Sequence, residues 1–583
     1  IPIFNFQFSI PQSGPNLPKM RSYSALKSLL TVCLLGLPIR ANHDTVDAVI
    51  SIDAASNAGP VPQDWAWVGH DEINYVLHED GRRLLNELDK SSPEPIYIRA
   101  HNMLNSGTVE PRLKWSASNV YTEDANGNPI YDFEVIDRIF DTYQEFNVKP
   151  LVQFGFMPEA LTSGTDLPYE RDWPNRRSEG WSYPPNDYGK WGDLIETLVD
   201  HWTDRYGDQE TLNWRYEPWN EPAGKGFWGG TTEEYIKLYD YTIEAVKRAL
   251  PNAVVGGPHV QSLARENSVV FLKQFLEHCR SGKNYVTGKT GSYLDFIAFH
   301  TKGDVAVNEK GLVQMGSRRQ IVGVEKGFQI IADFPEFKHL PIVLGESDPE
   351  GTAANSVATR PQNAYRHYAI YPAYMAAVNN KFRQSAERHG VKLEGIVSWA
   401  FTFPGEPWFT GYRALSTRSV DKPVMNYFRM AGMMSGRQLN TNSNHAVALD
   451  EALESGFTGE ADIDAIAARN ANSITIMAWN YHDLLAKTEP ASTTFSIYNL
   501  PKAASTVLIE QFIIDDDPSR NTYLAWQAMG SPESPTAEQI TELQRIGQLQ
   551  TSDSPRWIED ISGKLEFDIK LPSSSLSLLR LSW

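Results

Sequence analysis

Leu294-Asp295-Phe296-Ile297-Ala298-Phe299-His300 is a brief, almost unbroken apolar run that stops on a histidine. It is shorter than an ordinary helix, and it lacks the apolar–polar alternation of a half-exposed strand. A strand of this texture is buried on both faces, as in a parallel sheet covered by helices. The texture recurs at 66–70, 95–101, 149–156, 213–219, 253–258, 341–346 and 394–401, making eight runs that end on polar or aromatic residues. Helical patterns lie between them. In 134–147, Val135, Ile139, Phe140, Tyr143 and Phe146 fall at helical spacing. The segments 188–206 and 232–250 repeat the pattern, the latter with a Thr-Thr-Glu-Glu start signal. Eight strands alternating with helices imply a parallel (β/α)8 TIM barrel, with functional residues at the C-terminal ends of its strands.

Beyond Gly436 the pattern changes. Ser473–Trp479, Thr494–Tyr498 and stretches near 508–514, 565–571 and 576–581 alternate with period two, which implies a C-terminal β-sandwich domain. Ala48-Val49-Ile50-Ser51-Ile52-Asp53 is a strand that could join it. The expected division is a barrel over 66–436 and a sandwich over 437–583, with 42–65 contributing the extra strand. Residues 1–41 stand apart. Met20, Arg21 and Lys27 precede the apolar run Leu29–Leu37, and the small residue Ala41 follows, as in a secretory signal peptide. Residues 1–19 read as a mis-called gene start. The protein is therefore expected to be secreted, and the run is too short to anchor it in a membrane.

Among 583 residues, 53 are Lys or Arg and 72 are Asp or Glu, for a net charge of −19. The leader holds four cations (Lys19, Arg21, Lys27, Arg40) and no acid, so without it the charge would be −23. Nucleic acid is a poor partner for such a surface. Only Cys33 and Cys279 are present, which excludes a disulfide scaffold. There is no Cys/His metal set, no phosphate-cradling glycine loop and no Gly-x-Ser-x-Gly turn, so neither a metal nor a cofactor is expected. Asp515-Asp516-Asp517 has the look of a calcium turn but no companion ligands, and it reads as a solvated loop. Nothing in the sequence speaks to oligomeric state.

Two carboxylates carry the chemistry. Trp219-Asn220-Glu221-Pro222 closes the fourth run, and Leu344-Gly345-Glu346-Ser347-Asp348-Pro349 closes the seventh. In a barrel these ends face one another across one cleft. A lone glutamate is more often solvated or ion-paired, but two at these positions fit glycoside hydrolysis, with one carboxyl donating a proton and one ionised. Arg99 is a natural partner for Glu346. Asn220, His101 and His300 could bond sugar hydroxyls, and Trp399, with Phe401, could floor the ring. The expected partner is a saccharide.

The chain resembles glycoside hydrolase family 39, which holds β-xylosidases and α-L-iduronidases. The resemblance is carried by Tyr97–His101, Phe154–Pro158, Trp219–Pro222, Leu294–Gly303, Glu346–Pro349 and Lys422–Asn426, in family order from about Val46 to the C-terminus. It implies that Glu221 is the acid/base, Glu346 the nucleophile, and that anomeric configuration is retained. Lys302, in His-x-Lys-Gly, resembles the iduronidase branch, where the matching lysine contacts a sugar carboxylate. On a xyloside enzyme it would instead be exposed or paired with an acid such as Asp348. Arg413 and Arg418 are both candidates for a second carboxylate-binding arginine. A retaining exo-acting β-xylosidase-like enzyme is the first reading and an α-L-iduronidase-like enzyme the second. A non-catalytic carbohydrate-binding protein on this scaffold is the third.

Overall fold

A computed structural model describes residues 47–171, 178–559 and 561–583. The leader expected over 1–41 lies outside these residues. Eight parallel strands form the central sheet: Trp67–His70, Tyr97–Ala100, Lys149–Gln153, Arg215–Glu217, Val254–Val260, Phe296–Lys302, Pro341–Asp348 and Lys392–Ile396. They are called strands one to eight below. The sheet closes where strand one meets the segment after strand eight. Gly69 N–H donates to Ser398 O at 2.9 Å, and Ser398 N–H donates to Trp67 O at 3.0 Å. The ring is thus the expected barrel, its strands mostly buried between a packed interior and the helices outside.

The helices form where the sequence signals them. Tyr188–Tyr206 starts on Asp187, whose side chain accepts from the backbone of Gly189 and Lys190. Thr232–Ala249 opens with a reciprocal cap between Thr231 and Glu234 and ends with Lys247 and Arg248. Both patterns offset unpaired backbone groups at helix ends. The eighth strand departs from expectation. Its regular part is Lys392–Ile396, not 394–401; Val397 still bonds Leu344 O and Ser347 N–H on strand seven and Ser398 bridges strand one, and the chain then leaves the ladder, Phe401 pairing with Ala414. The cause is local: Trp399 N–H donates to the Asp348 side chain at 3.0 Å instead of to a neighbouring strand. Phe401 stacks on His70, with ring centres 4.8 Å apart, inside the core.

The second element is a sheet of ten strands. Asp47–Asp53 joins it as expected, antiparallel to Arg437–Ser443 and parallel to Ala491–Tyr498. The sheet folds over a core that includes Ile50, Ile476, Phe495, Phe567 and Leu579. Lys564–Leu571 shows the expected alternation, every second residue buried. Arg437–Ser443 and Asp462–Arg469 are strands that the alternation did not signal, and three helices interrupt the sandwich: Leu449–Ser455, Thr522–Ala528 and Ala537–Ile546. No helix among the described residues is long and apolar enough to cross a membrane.

Barrel and sandwich share one apolar cluster and a buried ionic tie. Lys381, on helix Ile370–His389, donates to Val447 O at 2.6 Å and lies 3.5 Å from Asp462. Asp462 also accepts from Val447 N–H and from Trp479 Nε1, each at 2.7 Å. Removing one member of a buried pair leaves the other charge uncompensated. Lys381→Met should therefore destabilise the protein by roughly 3–5 kcal/mol, read from the urea unfolding midpoint. A loss below about 1 kcal/mol, the level of an exposed pair, would show that this tie does not hold the two elements together.

Candidate active site

Glu221 lies four residues beyond strand four, Glu346 lies near the end of strand seven, and the two come within reach of each other. One oxygen of each, with a ring nitrogen of His300, lies in a group of three donor atoms all within 4.8 Å of one another. Among the described residues these are also the side chains close enough to hold a metal ion. Glu221 and Glu346 line a cavity of about 390 Å³ together with Asp71, His101, Lys302, Trp399 and Arg413. Arg99, Asn220 and His300 are fully buried and sit one layer beneath that surface.

Strand register makes the pairs. His300 lies beside Glu346, and Lys302 beside Asp348, across strands six and seven. Lys302 Nζ is 3.0 Å from Glu346 Oε2 and also bonds Asp348. Arg99 Nη1 and His101 Nε2 are each 3.4 Å from Glu346 Oε1. Burial opposes charge on Glu346 most, but Lys302, His300 and His101 outweigh it and hold the carboxyl well below its usual range. Burial pulls His101 down to about 4, so it stays neutral near pH 7. Glu346 is thus ionised in the resting site.

Glu221 has different surroundings. It adopts a left-handed backbone, φ 48°, as does His259, φ 51°, and its N–H donates to His259 O at 3.0 Å. Such conformations cost a non-glycine residue energy and persist only where the surroundings fix them. Gly345 supplies room: a Cβ there would lie 2.0 Å from His259 Nδ1. Glu221 Oε1 is 3.0 Å from His300 Nδ1, and His300 Nε2 is 3.3 Å from His259 Nδ1. His259 Nε2 in turn faces Glu217, whose other oxygen accepts from Arg99 Nε at 2.7 Å. Burial, then Arg99 and His300, push His259 well below the usual imidazole range, so it is neutral. The Glu221–His300 contact joins the candidate acid to this buried series of polar groups.

The remaining expected residues divide by depth. Asn220 Oδ1 accepts from Arg99 at 3.0 Å, and its Nδ2 finds no hydrogen-bond partner in the described protein. Trp399 lies against strand one because Gly69 leaves space, a Cβ there falling 2.3 Å from the indole. Its Nε1 donates to Asp71 at 2.7 Å, and its ring packs on His101 with centres 4.5 Å apart. Arg413 bonds Glu350 at 2.8 Å and lies 3.3 Å from Asp348, while Arg418 packs over Trp408. Sequence reading passed over Glu217, His259, Asp71, Glu350 and Arg366. The available signal was position, because Asp71 follows strand one and Glu217 precedes Glu221 by one turn of chain.

The sequence profile of glycosyl hydrolases family 39 matches residues 48–563. A β-xylosidase of Caldicellulosiruptor saccharolyticus is 27% identical over 542 residues, covering 91% of this chain and 97% of that one. An α-L-iduronidase of Mus musculus is 24% identical over 566 residues, covering 91% and 80%. Among solved structures, a monomeric β-xylosidase from Caulobacter crescentus CB15 superposes with a TM-score of 0.71 at 22% identity, over 92% of this chain and 99% of that one. With its barrel, its sandwich and a profile match over most of its length, the chain belongs to glycosyl hydrolase family 39 and is a glycoside hydrolase.

Proposed function

We propose that the enzyme is a secreted, retaining exo-glycosidase that releases a neutral pentose, a β-xylosidase-like activity. The observation that carries the choice of sugar is the ionic balance beneath the cavity. Arg99, Lys302, Arg366 and Arg413 are matched by Glu217, Glu346, Asp348 and Glu350. Burial opposes charge on Glu350, yet Arg366 and Arg413 hold it well below its usual range, so this carboxylate keeps both guanidiniums occupied. At the base of the cavity a uronate would add a negative charge where Lys302, Arg366 and Arg413 already have carboxylate partners, an unpaired burial that xylose avoids. The β-xylosidases among the relatives point the same way. Secretion rests on the leader-like segment 20–41. The small cavity, about 390 Å³, favours removal of a terminal sugar over cleavage along a groove.

The reaction then has two displacements. The Glu346 carboxylate attacks the anomeric carbon as the leaving oxygen takes the proton from Glu221, which gives a glycosyl-enzyme. Water then attacks the same carbon, its proton returning to Glu221 and the bond to Glu346 breaking. Carboxyl groups about 5–5.5 Å apart suit this course, and oxygens within 4.8 Å accord with it. Asn220, one layer down, supports the site by accepting from Arg99 at 3.0 Å. A uronide is the second reading because Lys302 and Arg413 flank Asp348 at the cavity base.

A panel of nitrophenyl glycosides tests the substrate. Release from β-xyloside with none from α-iduronide is expected; the reverse would install the second reading, and silence on every member would leave a binding protein. Glu346→Ala should cut turnover by more than about a thousandfold, the scale of losing a covalent nucleophile. Azide should then restore product with inverted configuration, and full activity without azide would remove Glu346 from its role. Lys302→Met takes away the strongest influence lowering Glu346. The acidic limb of the kcat/KM–pH profile should move up by roughly 1–3 units, while an unmoved limb would show that Lys302 does not set this charge.

A further inference from the structure

Three arginines stand around the mouth of the same cavity: Arg265 after strand five, Arg319 after strand six and Arg360 after strand seven. Among the described residues Arg319 pairs with Asp304, at 3.3 Å, and Asp304 is 72% exposed, so solvent screens the pair. Arg265 and Arg360 are exposed, and neither forms an ion pair among the described residues. The acids deeper in the cavity offer them nothing: Glu346 and Glu350 are taken by Lys302, Arg366 and Arg413. The mouth therefore carries surplus positive charge on a protein of net charge −19. A neutral sugar in the base of the cavity does not need it.

Position says which part of the substrate meets this charge. Gln261 Nε2 donates to Glu221 O at 2.5 Å, and Asn267 Nδ2 donates to Ala223 O at 3.0 Å. The turn carrying Arg265 is thus fastened at both ends to the turn carrying Glu221. Glu221 faces the leaving oxygen, so the sugar beyond that oxygen passes Arg265. We propose that Arg265 and Arg360, with Arg319 between them, bind an anionic substituent, a carboxylate or a sulfate ester, on the leaving part of the saccharide. The guanidinium fork suits either group. The substituent belongs to a short saccharide and not to a long polyanion, because the acidic surface repels extended negative charge. This inference rests on the pentose-releasing reading for the sugar at the base and adds the chemistry of its neighbour.

The test uses three saccharides with the same scissile xylosidic bond: xylotriose, xylotriose carrying one glucuronic acid on the leaving portion, and its sulfate-ester counterpart. At low ionic strength at least one acidic form should exceed the neutral one in kcat/KM by about tenfold, and added salt should erode the ratio. The larger ratio identifies carboxylate or sulfate. Arg265→Gln combined with Arg360→Gln should lower that ratio at least about fivefold, which would be the loss of two charge-assisted contacts. A ratio near one in the native enzyme, or one that survives both substitutions, overturns the proposal. Should no pentose be released from any of the three, the xyloside reading fails by itself. Calorimetric binding of the same three to Glu346→Gln protein then decides the mouth: tighter acidic binding that vanishes with the arginines supports it, and equal binding overturns it.

Discussion

The guanidinium of Arg99 is wholly buried, and the site is assembled around it. A charge without solvent is tolerated only when bonded on several sides. Here Nε meets Glu217, Nη2 meets Asn220, and Nη1 meets His101 and Glu346. Burial draws Arg99 down to about 10, which leaves it charged near neutral pH. One side chain from strand two thus fixes residues at the ends of strands two, four and seven. From Glu217 the contacts run through His259 and His300 to Glu221, and from Nη1 directly to Glu346. The two carboxyls therefore differ through one connected network. Glu346 is crowded by cations and kept ionised, whereas Glu221 meets the network through the His300 ring.

How much of this was legible in sequence follows from where each side chain points. The barrel was legible because strands covered on both faces are written as apolar runs, and Phe296–Lys302 is one of them. The end of strand eight was misread for the same reason: Trp399-Ala400-Phe401 is apolar, yet its backbone turns aside to reach Asp348. In the sandwich, Asp462–Arg469 hid its strand character because Asp462 and Asp464 face buried polar groups on helix Ile370–His389. Glu221 and Glu346 stood out because each ends an apolar run. Glu217 and His259 did not, since a glutamate beside Tyr-Glu-Pro and a histidine after Gly-Gly-Pro carry no signal until chain folding brings them together. Lys302 was visible, but its partners were not. Only register across strands six and seven decides that it serves Asp348 and Glu346.

The sandwich acts on the site through the long turn after strand seven. Asp515-Asp516-Asp517, which reads as a solvated loop, is a latch. Asp516 accepts from Ala369 N–H at 2.8 Å and from Asn521 at 2.9 Å, and Asn521 donates to His367 O at 3.1 Å. Tyr523 stacks on His367 with ring centres 4.1 Å apart. The neighbouring residue, Arg366, donates to Ala353 O, Asn355 O and Gly411 O, and holds Glu350. Glu350 occupies Arg413, and Arg413 reaches Asp348 beside Lys302. The connection from sandwich to Glu346 is thus a short series of buried polar contacts, each satisfied by the next. A barrel alone would leave that turn, and the wall it forms, without its outer support. The second element is therefore a structural partner of the catalytic pocket even though none of its side chains lines it.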